Sequence, residues 1–338
     1  MISWNDLDSQ VKSGDPAAMR WFGALLERTN YAPARRTVAQ NIVHHATIAA
    51  MPKFAIAGWE SADTKKACLW EPVVAKNGKH WTPMFQESGS CVCQGGQNAT
   101  AYTMAVEVWE KGEREQVKYP VFAFVAYGRS RHYIGERSPG EGSLGSAMAK
   151  AVKEDGIVDP SFAGLPTWTE RHGGLTIGKA KEVEWSYIPD ARDKFDPFQE
   201  AAKLHPIRTV AQCKSADEVA AALRNGYGCT CASMWGGKMQ CDVVSDPPVL
   251  MNKRVTEWAH QMAIVGWWEH PKLGEIFYIL NSWGNPHGND PAGGPPGGFW
   301  VSKADIDWIC RDEVFAFSSF DGFPARELPW ASILPFTG

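Results

Sequence analysis

No apolar run in this sequence of 338 residues approaches the roughly 20 residues that span a bilayer, which excludes a membrane-spanning helix. A basic excess is missing as well: 34 Lys and Arg stand against 38 Asp and Glu, for a formal charge of −4. Such a balance supplies no field for nucleic acid. The opening residues, Met-Ile-Ser-Trp-Asn-Asp-Leu-Asp, lack the basic, apolar, small-residue order of a secretory signal, so the protein is expected to stay where it is made. Cysteine is too scarce for a disulfide framework: the chain has 8, and two pairs are spaced Cys-x-Cys, too close for an easy bridge. A reducing compartment fits that usage. What the sequence does have is a hydrophobic content of 44%, enough to bury one large lobe or two medium ones.

Two glycine-rich stretches imitate nucleotide-binding loops, and each lacks a part that the chemistry needs. Residues 140–145 fit the dinucleotide pattern and lead into a helix at 146–153, but the charged stretch at 129–136 is not the buried strand that must precede it. Residues 173–179 end on the lysine of a phosphate loop, yet Ala180 stands where a magnesium-binding hydroxyl belongs. Cys91, Cys93, Cys229 and Cys231 suggest a zinc site only at a spacing tighter than the usual gap of about two to four residues. No metal and no cofactor is expected.

Periodicity divides the remainder. Ala18, Trp21, Phe22, Leu25 and Leu26 form one apolar helical face, and Val38, Ile42, Ala46 and Ala49 a second, so residues 1–50 read as mainly helical. Residues 53–59 read as a strand, and the aromatic run at 119–127 as a buried strand or packed segment. Between about 155 and 200, Pro, Gly, Trp and charge suit an irregular connection. Residues 216–225 form a short helix ended by Gly226. Strands follow at 227–235, 262–268, 276–283, 299–302 and 314–320, with a long Pro/Gly loop at 285–298.

The chemistry concentrates at residues 86–100, Gln-Glu-Ser-Gly-Ser-Cys-Val-Cys-Gln-Gly-Gly-Gln-Asn-Ala-Thr. Ala99, Ala101, Met104, Ala105, Val108 and Trp109 recur at helical spacing, so Cys91 falls at the start of a helix. Unpaired N–H groups and the helix dipole favour a thiolate there, and the thiolate is the reactive form. Cys93, two residues on, points roughly the other way. The plain alternative for Cys91 is a buried structural thiol. A nucleophilic thiol needs a base and a group to orient that base. His260, heading His-Gln-Met-Ala-Ile-Val-Gly-Trp, and Asn281, heading Asn-Ser-Trp-Gly, are the candidates. His270 and His287 lack such context and read as surface residues.

On these residues the chain resembles the papain-like cysteine peptidases, whose order is Gln, Gly-Ser-Cys, His-Ala-Val at a strand, then Asn-Ser-Trp-Gly. The resemblance runs from Gln86 to about Phe320. It implies Cys91 as nucleophile, His260 as general base and then acid, and Asn281 as the residue that orients the imidazole. It further implies that Gln86 and the Cys91 N–H meet the oxyanion, that Trp283 covers the His260–Asn281 contact, and that Gly142 and Ser143 lie on a glycine-rich wall of the substrate cleft. An ion pair between thiolate and imidazolium is expected.

The fold so implied is α+β with two lobes. A helical lobe at about 81–215 carries Cys91, and an antiparallel β-rich lobe at about 216–338 carries His260 and Asn281. A mainly helical N-terminal extension at 1–80 serves as prosegment or docking element. The expected partner is a peptide or protein substrate, with no nucleic acid, no membrane, and an assembly partner for the extension left open. Members without signal peptide or disulfides are similar to bacterial and phage-encoded ones, which places the protein in the cytoplasm or in a virus particle.

Four features depart from the pattern. Val92 takes the usual aromatic position, Gln86 lies one residue closer to the cysteine, and Ser88 replaces a cysteine that secreted members use in a disulfide. From Cys91 to His260 is 260 − 91 = 169 residues, against about 130–150 in the pattern, which implies an insertion. Two alternatives remain open: a catalytically idle papain-like fold used as a structural or binding component, such as a virion protein, and another thiol acyl transferase such as an amidase, transglutaminase or isopeptidase.

Overall fold

The computed structural model describes residues 9–10, 13, 24, 37–53, 64–86, 89–111, 124–135, 142–157, 202 and 207–318. The helix read at 18–26 (Ala24 apart), the strand at 54–59, the imitation phosphate loop at 173–179 and the connection at 158–200 lie outside the described residues. No helix among the described residues is long and apolar enough to cross a membrane.

The fold is α+β, built on one nine-stranded sheet that is antiparallel except at a single parallel contact. Its axis is β6 (Arg254–His270), which pairs on one side with β3 (Cys229–Gly237) and on the other with β7 (Gly274–Leu280). Where β3 ends, β1 (Lys66–Cys68) takes its place against residues 266–268. Beyond β3 come β9 (Glu313–Ser318) and β2 (Thr209–Gln212). Beyond β7 come β8 (Gly298–Ser302), β5 (Val249–Met251) and β4 (Asp242–Val244). The sheet thus takes in one strand from within residues 1–80 and one from before residue 216.

Helices cover the sheet. The longest, α3 (Cys91–Lys111), is buried from Cys91 through Val108, as a helix with no solvent face must be. It lies close to β6 because Gly95 has no side chain: a Cβ there would meet Gln261 Cγ at 2.9 Å and the Met262 carbonyl at 3.1 Å. Farther along, Gly228 approaches in the same way, and its N–H donates to Thr103 Oγ1 at 2.8 Å. Around α3 stand α1 (Val38–Ala50), α2 (Glu71–Asn77), α4 (Phe124–Tyr133) and α5 (Gly145–Asp155). Two more, α6 (Ala216–Arg224) and α7 (Lys303–Ile309), begin on serine caps, Ser215 and Ser302.

Three expectations are corrected. In α1 the face read from Ile42, Ala46 and Ala49 is the exposed one, with Ile42 65% accessible. Polar anchors turn the helix instead: Thr37 and Gln40 form a reciprocal capping box, and His44 Nδ1 lies 2.9 Å from Ser146 Oγ. The run at 119–127, read as a buried strand or packed segment, is packed but helical where it is described. Residues from Phe124 open α4, whose buried Ala126, Tyr127, Ser130 and Arg131 recur at helical spacing, while Arg129 donates to Asp155. Neither His270 nor His287 is a free surface residue. His270 is buried and bonds the Pro247 carbonyl through Nε2, and its Nδ1 accepts from the N–H groups of Lys272 and Leu273. His287 packs edge-on against Phe299, and burial pushes it down to about 4.

Candidate active site

Cys91 opens α3, His260 lies inside β6, and Asn281 follows the last residue of β7. All three are buried. Residues 84–86 are zipped antiparallel to residues 282–284: Gln86 N–H donates to the Ser282 carbonyl at 2.7 Å, and Gly284 N–H to the Met84 carbonyl at 2.6 Å. Gly284 takes φ +70° to complete that pairing, and a Cβ there would press on Phe85 at 3.0 Å. The approach to the cysteine is thereby held against the stretch that carries the asparagine. A second tie joins the neighbours of the other two candidates, since Gln261 Nε2 donates to the Val92 carbonyl at 3.2 Å.

The hydrogen bonds fix the tautomer of His260. Asn281 Oδ1 accepts from the backbone N–H of Ser282 at 2.7 Å, and a backbone N–H can only donate. The oxygen end of the amide therefore also faces His260 Nε2, 2.8 Å away, so that nitrogen carries the proton. In the neutral ring Nδ1 is then the basic nitrogen. Trp283 stacks on the imidazole with centroids 4.6 Å apart, and Trp258 meets Trp283 edge-on at 5.9 Å. Burial under these rings pushes His260 down to about 4, against the opposing effect of the Asn281 bond. Burial thus works against the expected imidazolium, and the Asn281 bond works for it.

Gln86 is buried, and its Oε1 accepts from Ser282 Oγ at 2.5 Å, which leaves the amide nitrogen as the end turned from Ser282. Gly142 N–H reaches the Gly89 carbonyl at 3.1 Å and Tyr127 Oη at 2.9 Å, two residues before the nucleophile. Ser143 shares a hydrogen bond with Ser130 and forms a parallel bridge with Ala24, which is itself fully buried. Tyr127 ends the aromatic run at 119–127, which in the sequence gives no signal of a place beside the nucleophile. Ser282 is legible as part of the Asn-Ser-Trp-Gly stretch, although that stretch alone assigns it no role.

The other cysteines differ in setting. Burial pushes the thiols of Cys68, Cys213, Cys231, Cys241 and Cys310 upward, Cys231 and Cys241 to about 12. Cys231 Sγ reaches the Met262 carbonyl and Cys229 Sγ the Tyr227 carbonyl. Among the described residues, no three His, Cys, Asp or Glu side chains gather as metal ligands.

No family model and no curated protein matches the chain. Similar solved structures include xylellain, a cysteine protease from Xylella fastidiosa, at 16% identity and a TM-score of 0.48 over 81% of this chain and 88% of that one. Digestive procathepsin L 3 of Tenebrio molitor larval midgut stands at 9% identity and a TM-score of 0.47, over 92% and 86%. The proform of the Amb a 11 cysteine protease, a major ragweed pollen allergen, stands at 14% and 0.48, over 82% and 73%. These likenesses are of fold alone. Identities this low say nothing of activity, and function is read from the site.

Proposed function

We propose that the protein is a cysteine peptidase that cleaves peptide bonds through a thioester on Cys91. The observation that carries this reading is the pinned tautomer of His260, whose proton sits on Nε2 toward Asn281 and whose basic nitrogen is Nδ1. In the first step the Cys91 thiol gives its proton to Nδ1 while sulfur bonds to the substrate carbonyl carbon. The oxyanion so formed is met by the Gln86 side-chain amide and the Cys91 N–H. As the tetrahedral species collapses, His260 passes the proton to the departing amine. Water then gives a proton to the imidazole, attacks the thioester and releases the acid, and the thiol is restored. A peptide substrate incubated with and without added amine tests the reaction class. Hydrolysis to free acid and a new N-terminus supports a peptidase, and amine-dependent amide product supports a transferase instead.

The extension belongs to the same reading. Ala24 bridges Ser143, on the stretch assigned to the cleft wall, and α1 is joined to α5 through His44 and Ser146. The extension acts as an inhibitory prosegment, with Ala24 and α1 as its contacts to that side of the molecule. A chain starting at Thr64 is expected to hydrolyse peptide at least about tenfold faster than the full chain, as release of a covered site requires. Equal rates would assign the extension to docking.

A further inference from the structure

Gln261 presents a buried side-chain amide that the proposed chemistry does not use. It follows His260 in β6, and alternation along a strand sends the two side chains to opposite faces. His260 meets Asn281 and Trp283, whereas Gln261 runs under α3 and donates through Nε2 to the Val92 carbonyl, across 169 residues of sequence. One hydrogen bond therefore links the residue after the base to the residue after the nucleophile. Two glycines on different helices make its slot. A Cβ on Gly95 would stand 2.9 Å from Gln261 Cγ, and one on Gly145 would stand 3.0 Å from its Oε1. That Oε1 is buried with no hydrogen-bond partner among the described residues. A half-satisfied buried amide is a poor stabiliser, since its unpaired end has lost water and gained nothing. Methionine, of similar length and without polar atoms, would fill such a slot at less cost.

We infer that Gln261 is a positioning residue, which holds the helix of Cys91 in register with the strand of His260 so that thiol and imidazole meet. The inference rests on the peptidase reading above. Its test follows alkylation of Cys91 by iodoacetamide, quantified on the Cys91 peptide, across pH in the full chain and in Gln261→Met, together with thermal midpoints. The unsubstituted protein is expected to show an acid limb well below the free-thiol value of about 8.5. In Gln261→Met that limb moves up by about one unit, the rate near pH 6 falls about tenfold, and the rate near pH 9.5 changes less than about twofold, because the thiol ionises there without help. The thermal midpoint stays level or rises. An unshifted limb overturns the inference and leaves the peptidase reading standing. So does a loss of rate at every pH that tracks a lowered midpoint. A limb near the free-thiol value in the unsubstituted protein overturns both. If Gln261→Met does not fold, Gln261→Asn, which keeps the amide but falls short of Val92, is read by the same criteria.

Discussion

Asn281 does two things with one oxygen. By accepting from the Ser282 N–H it turns its amide the right way round, and by accepting from His260 Nε2 it decides which ring nitrogen is basic. Replacing it with alanine frees the ring to take the other tautomer. Asn281→Ala is expected to lower kcat about a hundredfold with little change in KM, as measured by steady-state peptide hydrolysis. A loss under about twofold would detach Asn281 from the chemistry. His260 sets the acid limit. Because burial pushes it down to about 4, kcat is expected to fall only as the pH drops through that value. A limb near the ordinary histidine value of about 6.5 would show a solvated ring instead.

At the scale of elements, Gly95 is the point where the nucleophile helix touches the histidine strand. A methyl group there meets the Gln261 side chain near its root and the Met262 backbone beside it, so Gly95→Ala should destabilise by about 1–3 kcal/mol in denaturant unfolding and reduce Cys91 labelling together with stability. The helix start at Cys91 was legible because glycine, small residues and apolar period agree there, whereas the strand read at 262–268 is only the inner part of β6, which begins at Arg254 and takes in His260. The role of β1 and α2 was not. A strand as short as Lys66–Cys68 has no alternation to read, and its worth lies in seating Trp70, which packs on Tyr278 at 4.8 Å and fills the space left by Gly266. Trimming the chain to Lys79 therefore removes part of the sheet and a buried tryptophan, whose loss alone costs about 3–5 kcal/mol. Such a chain should melt well below one starting at Thr64, which keeps β1 and α2. The buried face of α1 was hidden for a related reason: a capping box and the His44–Ser146 contact outweigh the burial of Ile42 and two alanines, and such long-range polar contacts leave no period in the sequence.

For the whole molecule, buried neutral histidines make stability depend on acid. Burial lowers His260, His287 and His80, so between the ordinary value and the folded one the unfolded chain binds more protons than the native protein. Unfolding free energy then rises with pH across that window, and falls as the pH is lowered from about 6.5 toward about 4. Thermal midpoints should drop over that range, and His287→Asn should flatten the drop. An unchanged slope would mean that His287 is solvated in the native state.

A limiting dose of iodoacetamide near pH 6, with each cysteine peptide quantified and peptide hydrolysis followed on the same sample, shows whether Cys91 is the activated nucleophile of this site. Burial raises five of the other thiols, while Cys93, as fully buried as Cys91, stands two residues inside the helix that Cys91 opens. Cys91 is expected to be modified first, with hydrolysis lost in proportion, no turnover in Cys91→Ser and most of it kept in Cys93→Ser. Preferential modification of Cys93 or any other thiol, or full turnover in Cys91→Ser, would contradict the assignment.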